Sequence, residues 1–243
     1  MASFSDHFSG HAQLYAKARP PYPDSLIAQL AALAPDRTLA WDSGTGSGQA
    51  ARPLAHYFDH VHAADASAKQ IAAAMPAERV RYAVEPAEQC SLPDGSADLV
   101  LAAQALHWYD LDRFYGEVRR VLRPGGLLAA IGYGWFYVDP IIDEIVGRTL
   151  LTPVETHWTP GNWLLLDGYR TIPFPGEEVR VPPVAIHLAW TRGQFEAYVR
   201  SWSVVQRIGE QVTDPGFAEL ANVWPDEQLR HVTMPLTTRV ARL

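Results

Sequence analysis

Cysteine is nearly missing from this chain: Cys90 is the only one in 243 residues. That excludes an internal disulfide and a thiolate cluster for zinc, and it suits a reducing cytoplasm. No window approaches the roughly 18 consecutive apolar residues that a membrane span needs, and the stretch from Met1 to Pro23 lacks an apolar core of signal-peptide length. The sequence therefore reads as a soluble, cytoplasmic protein. Lysine and arginine form no long run, and 20 of them against 27 acids leave a net charge of −7. A nucleic-acid or anionic-membrane partner would need a concentrated positive field, so neither is expected. The 9 histidines show no His/Cys spacing of a zinc site, and no metal is predicted. Repeats, linkers and low-complexity segments are missing too.

Apolar residues are plentiful, at 48% against 19% charged, enough to bury a full core. The length fits one α/β domain with a sizeable insertion. Aromatic residues are abundant, and Trp135, Trp158, Trp163, Trp190, Trp202 and Trp224 all lie in the C-terminal half. Core packing accounts for most of them, and an aromatic-lined pocket for a few.

The most informative stretch is Ala40-Trp41-Asp42-Ser43-Gly44-Thr45-Gly46-Ser47-Gly48. It joins a short strand to a predicted helix from Gln49 to Phe58 through alternate glycines, with an acid just before the bend. Glycine permits positive φ and leaves no Cβ between the backbone and a ligand, and a helix start offers free N–H groups. A dinucleotide fingerprint would need G-x-G-x-x-G, and Gln49 occupies its last position. A P-loop would need Gly-Lys-Ser/Thr, and no lysine lies between residues 40 and 60. What remains is G-x-G-x-G preceded by Asp42, a cradle for a charged, nucleoside-like cofactor.

Strand and helix signals then alternate. Leu26, Ile27, Leu30 and Leu33 mark a helix behind Asp24-Ser25. Strands are expected at Thr38–Trp41, Val61–Ala64 ending at Asp65, Val80–Val84, Ala97–Ala103 and Leu127–Ile131. Helices are expected over Ser67–Met75 and Asp110–Leu122, and Arg123-Pro124-Gly125-Gly126 reads as a sharp turn. This rhythm implies right-handed crossovers and a doubly wound, mostly parallel sheet. Between Tyr133 and about Ile186 the rhythm is lost among prolines and tryptophans, as in an insertion that covers a site. A helix is predicted over Thr191–Arg207, another over Pro215–Val223, and residues 232–243 alternate as one terminal strand, antiparallel to the rest.

In such a sheet ligands bind beyond the carboxyl ends of the strands, where Asp65, Glu88 and Gln104 fall. Taken together, the motifs resemble class I S-adenosylmethionine (SAM) dependent methyltransferases. Asp42, Gly44, Gly46 and Gly48 are similar to the family's first motif, and Ala64-Asp65-Ala66-Ser67 to its ribose-binding acid. Ala87-Glu88 ahead of Leu92 to Val100 resembles the segment flanking the adenine, and Gln104-Ala105-Leu106-His107-Trp108 the strand exit beside the methionine moiety. Trp41 stands where a smaller aliphatic residue is usual, and Thr45 where cysteine is frequent. The resemblance implies a seven-stranded Rossmann-like sheet with an antiparallel C-terminal strand. It divides a single domain into an N-terminal arm and helix (1–36), a SAM-binding core (37–132), a substrate-covering insertion (133–190) and C-terminal helices and strand (191–243).

The flanks, with Tyr15, Arg19-Pro20-Pro21-Tyr22-Pro23 and Val199-Arg200-Ser201-Trp202-Ser203, look like the trans-aconitate methyltransferase-like branch. By that resemblance Tyr15 and Arg19 meet the cofactor's methionine carboxylate, alongside contacts from Asp42, Gly44, Thr45, Gly46, Gly48, Asp65, Ala66, Ala87, Glu88 and Gln104. Tyr22, His107, Trp108 and Arg200 are the candidate substrate residues. The implied reaction is methyl transfer from SAM, giving S-adenosylhomocysteine and a methylated small molecule, with a carboxylate the favoured acceptor because it is ionised and needs no base. Methylation at another oxygen, nitrogen or carbon is the alternative, with His107 as base because an ordinary histidine titrates near working pH. A SAM-binding protein without turnover is the reading from another class. The protein is expected as a monomer or homodimer.

Overall fold

The strand Ala97–Ala103 (ADLVLAA) is apolar without alternation, and all but its last residue are buried. Such a strand needs cover on both faces, which a parallel sheet between helical layers provides. The computed structural model describes residues 19–243, and the expectation for Tyr15 lies outside them. This strand, β4, sits at the middle of a seven-stranded sheet whose order is β3-β2-β1-β4-β5-β9-β6. Its companions are β1 (Leu39–Ser43), β2 (His60–Asp65), β3 (Val80–Val84), β5 (Leu122–Gly132), β6 (Glu177–Glu178) and β9 (Thr237–Arg242). Strands β1 to β5 pair in parallel, and β9 runs antiparallel to β5 and β6. A two-stranded sheet of β7 (Ala185–Trp190) and β8 (Arg230–Pro235) stands apart.

Strand order reverses between β1 and β4, and Ser43 pairs with both Ala64 and Ala102. The carboxyl ends of β1, β2 and β4 are thereby brought level, where ligands bind in doubly wound sheets. At the opposite end, buried Asp98 accepts from the Thr38 and Leu39 amides, both at 2.9 Å, and ties the entry of β1 to β4. Trp41 fills core space against Phe114 at 6.1 Å between rings.

Helix α1 spans Asp24–Leu33, and α3 (Ala68–Ala72) is capped by the Ser67 hydroxyl. Helix α4 (Leu111–Val121) begins where the Asp110 carboxylate accepts from the Arg113 amide. Four expectations need correction. The helix after the glycine loop, α2, covers only Ala51–Leu54. Pro53 has no N–H for a bond to Gln49, and its ring crowds that carbonyl, so no long helix can run through it. The Arg123–Gly126 turn is taken up inside β5, which shifts register between its pairings with Ala97 and Leu99.

The predicted terminal strand is two strands. Pro235 lacks a donor, and the chain passes there from β8 beside β7 to β9 beside β5. The predicted 191–207 helix is likewise two, α8 (Arg192–Arg200) and α9 (Ser203–Ile208). Trp202 is extended between them, and the Gln206 side chain, not a continuing helix, donates to the Arg200 carbonyl at 2.6 Å. The irregular region contains α5 (Pro140–Val146), α6 (Thr152–Glu155) and α7 (Pro160–Leu166), and α10 (Asp214–Val223) follows α9. Among the described residues no helix is long and apolar enough to cross a membrane.

Candidate active site

The glycine loop turns on three left-handed residues, with φ of 66° at Gly44, 57° at Gly46 and 85° at Gly48. Its fold is held from outside. The Thr45 amide donates to Ala64 O, and the Gly46 amide to Asp65 Oδ2, both at 2.9 Å. The other Asp65 oxygen accepts from the Ser67 amide at 2.8 Å, so this one carboxylate pins both the glycine loop and the start of α3. Inside the turn, the Thr45 hydroxyl donates to Asp42 Oδ2 at 2.5 Å, while Oδ1 is buried without a hydrogen-bond partner among the described residues. Burial pushes the Asp42 carboxyl up to about 7; the Thr45 bond works against this and the Asp65 charge adds to it.

A Cβ at Gly46 would meet nothing nearer than Gln70 Oε1 at 3.9 Å, so the loop is open there. At Gly44 a Cβ would run into the Tyr109 hydroxyl and lie 2.7 Å from Ala105 Cβ. Tyr109 was not singled out in the sequence. Its ring covers Gly44 and its hydroxyl bonds Ser43 at 3.2 Å. Ala87 is buried beyond β3, and Glu88 Oε1 accepts from the Asp110 amide at 3.1 Å. A glycine loop open at Gly46, a buried carboxylate in Asp42 and a second carboxylate in Asp65 fit a nucleoside cofactor that carries cations rather than phosphates.

Gln104 leaves β4 in the left-handed region, with φ of 55°. Its side chain exchanges both bonds with the Tyr133 backbone, at 2.9 and 3.0 Å, and so braces the ends of β4 and β5 together. Beyond this brace opens a cleft of about 640 Å³, open solvent at its mouth included, walled by the insertion and the α8–α9 break. Trp108, Trp135, Phe136, Trp158, Tyr198 and Trp202 supply its aromatic surface. Arg19 also lines it, with the guanidinium 5.5 Å from the Tyr198 ring centroid and 5.9 Å from that of Tyr133, donating to Ser201 O at 3.4 Å. Among the described lining residues Arg19 is the permanent charge, and none is Asp or Glu. Asn162 faces the cleft with its Oδ1 occupied by the Thr159 amide and hydroxyl, at 3.1 and 2.8 Å.

Two candidates do not reach this cleft. Arg200 stacks 4.4 Å from the Phe217 ring centroid and pairs with Glu196 and Glu210 at 3.3 and 3.8 Å, because its helix face turns toward α10. Tyr22 lies behind the wall, its ring 6.3 Å from Tyr133. His107 and Trp108 do line the cleft. Burial, with the Arg19 charge added, lowers the His107 pKa to about 3, away from the working pH that the sequence reading of a base assumed. The structure also gathers His62, Glu85 and Cys90 within 4.8 Å of one another, a grouping that no sequence spacing reveals. Glu85 is committed there to His62 and the Ser91 amide, each at 3.0 Å.

A doubly wound sheet with a glycine loop at its reversal point, flanked by the Asp42 and Asp65 carboxylates, defines a class of protein with a cofactor site at that point. Comparison with known proteins narrows the class. The methyltransferase domain family matches residues 41–130. A protein of Dictyostelium discoideum provisionally named a methyltransferase is 33% identical over 204 residues, 82% of this chain and 78% of that one. An uncharacterised methyltransferase of Mycobacterium tuberculosis is 34% identical over 166 residues, 60% of this chain and 67% of that one. The solved structure of a provisionally assigned type II methyltransferase from Anaeromyxobacter dehalogenans has a TM-score of 0.84 at 42% identity, covering 92% of this chain and 97% of that one. The chain belongs to the class I SAM-dependent methyltransferases, and its cofactor is SAM.

Proposed function

We propose that the protein methylates a carboxylate of a small molecule, forming a methyl ester. The observation that carries this reading is the lining of the cleft, where the Arg19 guanidinium lies among aromatic walls and none of the other described lining residues carries a permanent charge. A desolvated cation there favours an anionic acceptor and penalises an amine. The resemblance of the flanking motifs to trans-aconitate methyltransferase-like enzymes supports the same reading. When bound, SAM supplies a methyl group already activated on a sulfonium, so an ionised carboxylate oxygen gaining it releases no proton and needs no base. The chain has only to hold the acceptor in line and keep water away. The aromatic cleft suits both tasks, and we read residues 133–190 as the substrate-covering insertion and the whole chain as one cytoplasmic domain. The test is the product: its methyl group must leave as methanol in mild base.

The glycine loop of Gly44 to Gly48, with Asp42 and Asp65, is the proposed cofactor cradle. Asp65→Ala removes the loop's brace together with an acceptor for ribose hydroxyls. SAM affinity is expected to fall by about 1 to 3 kcal/mol, and unchanged affinity in calorimetry would reject the assignment. Asp42 gives a pH prediction. Its carboxyl is neutral below about 7 without cofactor, and a bound cation favours the ionised form. Binding SAM should then release a proton near neutrality and tighten as pH rises through 7. Calorimetry in buffers of different ionisation enthalpy reads that proton directly. The same raised value means that the folded protein holds a proton which the unfolded chain has lost, so Asp42 lowers stability as pH climbs from the ordinary carboxylate range toward 7.

A further inference from the structure

His107 and Tyr169 meet behind the cleft wall, with Nδ1 and the phenol hydroxyl 2.9 Å apart. Their rings lie 6.1 Å apart at 26°. Tyr169 comes from the end of the insertion, far from His107 in sequence, and is fully buried. Its φ of 58° is a left-handed conformation that a bulky residue seldom takes. Surrounding bonds impose it: its amide donates to Leu164 O at 2.8 Å, and its carbonyl accepts from Arg239 at 2.7 Å. Gly161 brings α7 onto the same spot, since a Cβ there would lie 2.6 Å from the His107 carbonyl oxygen. The His107–Tyr169 pair is thus held from three sides.

Hydrogen-bond accounting fixes where the protons sit. Among the described residues, His107 Nδ1 is the only partner recorded for the Tyr169 hydroxyl. Were Nδ1 to carry the hydrogen and donate, the phenol proton would be buried without an acceptor, at a cost of about 1 to 3 kcal/mol. The phenol therefore donates and Nδ1 accepts, which leaves the neutral ring's hydrogen on Nε2. Nε2 has no protein partner among the described residues and is not among the buried unpaired atoms. Among the described residues the titratable and charged groups that share the cleft lining with the ring are Arg19, Tyr133 and Tyr198, with Tyr169 bonded behind it, and none of these favours a second proton.

Building on the carboxylate reading, we propose that Tyr169 locks His107 as an Nε2–H donor that holds one acceptor carboxylate oxygen beside Arg19 and Asn162, leaving the other oxygen to take the methyl. His107 is then a binding residue, and Tyr169 its positioning residue. The closing experiment combines the histidine tautomer with two variants. Two-bond 1H–15N spectra of histidine-labelled protein should show His107 as the Nε2–H form from about pH 5 to 8. The Tyr169→Phe variant should populate both tautomers and raise the acceptor KM severalfold, with kcat and the SAM Kd nearly unchanged. His107→Gln keeps a side-chain N–H donor but cannot take a proton. It should retain kcat within about tenfold, whereas loss of a general base would cost about 10² to 10⁴. An Nδ1–H signal in the unmodified protein, or a folded, SAM-binding His107→Gln variant slowed a hundredfold or more, would overturn the lock. If Tyr169→Phe does not fold, the tautomer of the unmodified protein decides. The two readings fail separately: Nδ1–H with methyl ester formed removes the lock alone, and Nε2–H with a base-stable product removes the carboxylate reading.

Discussion

Gly44→Ala is expected to weaken SAM binding at least a hundredfold, while the sheet remains folded. Two effects add. The residue sits at φ of 66°, where an L side chain costs roughly 1 to 2 kcal/mol. The new methyl would also meet the Tyr109 hydroxyl and lie 2.7 Å from Ala105 Cβ. Tyr109 has little room to retreat, because its ring packs 4.7 Å from Phe114 and its hydroxyl is bonded to Ser43. The loop must move, and the Gly46 amide leaves Asp65 when it does. Gly46→Ala makes a useful contrast: its methyl would point into open space, so a comparable loss of affinity with a smaller drop in Tm is expected. Calorimetry and thermal melts separate the two variants. Binding of SAM by Gly44→Ala within threefold of the unmodified protein would mean that this loop is not the cradle.

Arg19→Ala is expected to lower kcat/KM for the acceptor by about 10² to 10³, in line with the 2 to 5 kcal/mol lost when one member of a buried charge pair is removed. The SAM Kd should stay within a few fold, because the described contacts of Arg19 are the Tyr133 and Tyr198 rings and Ser201 O in the aromatic cleft, none of them in the glycine loop. Arg19→Lys should recover only part of the loss, since an ammonium cannot reproduce a bidentate grip on a carboxylate. A rise in the SAM Kd with unaltered acceptor KM would instead assign Arg19 to the cofactor, as the family resemblance suggested.

Legibility in the sequence followed the range of the interactions involved. The strands Val80–Val84 and Ala97–Ala103 and the cap at Asp110 were readable because local pattern and local hydrogen bonds decide them. The glycine loop and Asp65 were readable because backbone geometry dictates residue type at close spacing. The helix after the loop was overextended because apolar content outweighed Pro53. The terminal strand was read as one because alternation carries on through Pro235, and only pairing partners distant in sequence reveal the change of sheet.

Within the site, the missed residues are those placed by long-range packing. Tyr109 over Gly44, Asn162 at the cleft and Tyr169 behind His107 sit in segments with no periodicity or motif to mark them. Arg200 was read as a pocket cation from its motif, yet Glu196 one turn before it and Phe217 on a distant helix decide where its guanidinium goes. His107 was read from its type alone. Its burial and its bond to Tyr169, which sequence does not display, are what the proposal of a donor role rests on.

The central claim is best tested by incubating the protein with methyl-labelled SAM and a panel of organic acids, then treating the product with mild base. Release of the label as methanol, dependent on Arg19, is the result this account predicts. Label that stays on the product, at carbon, nitrogen or an ether oxygen, would contradict it.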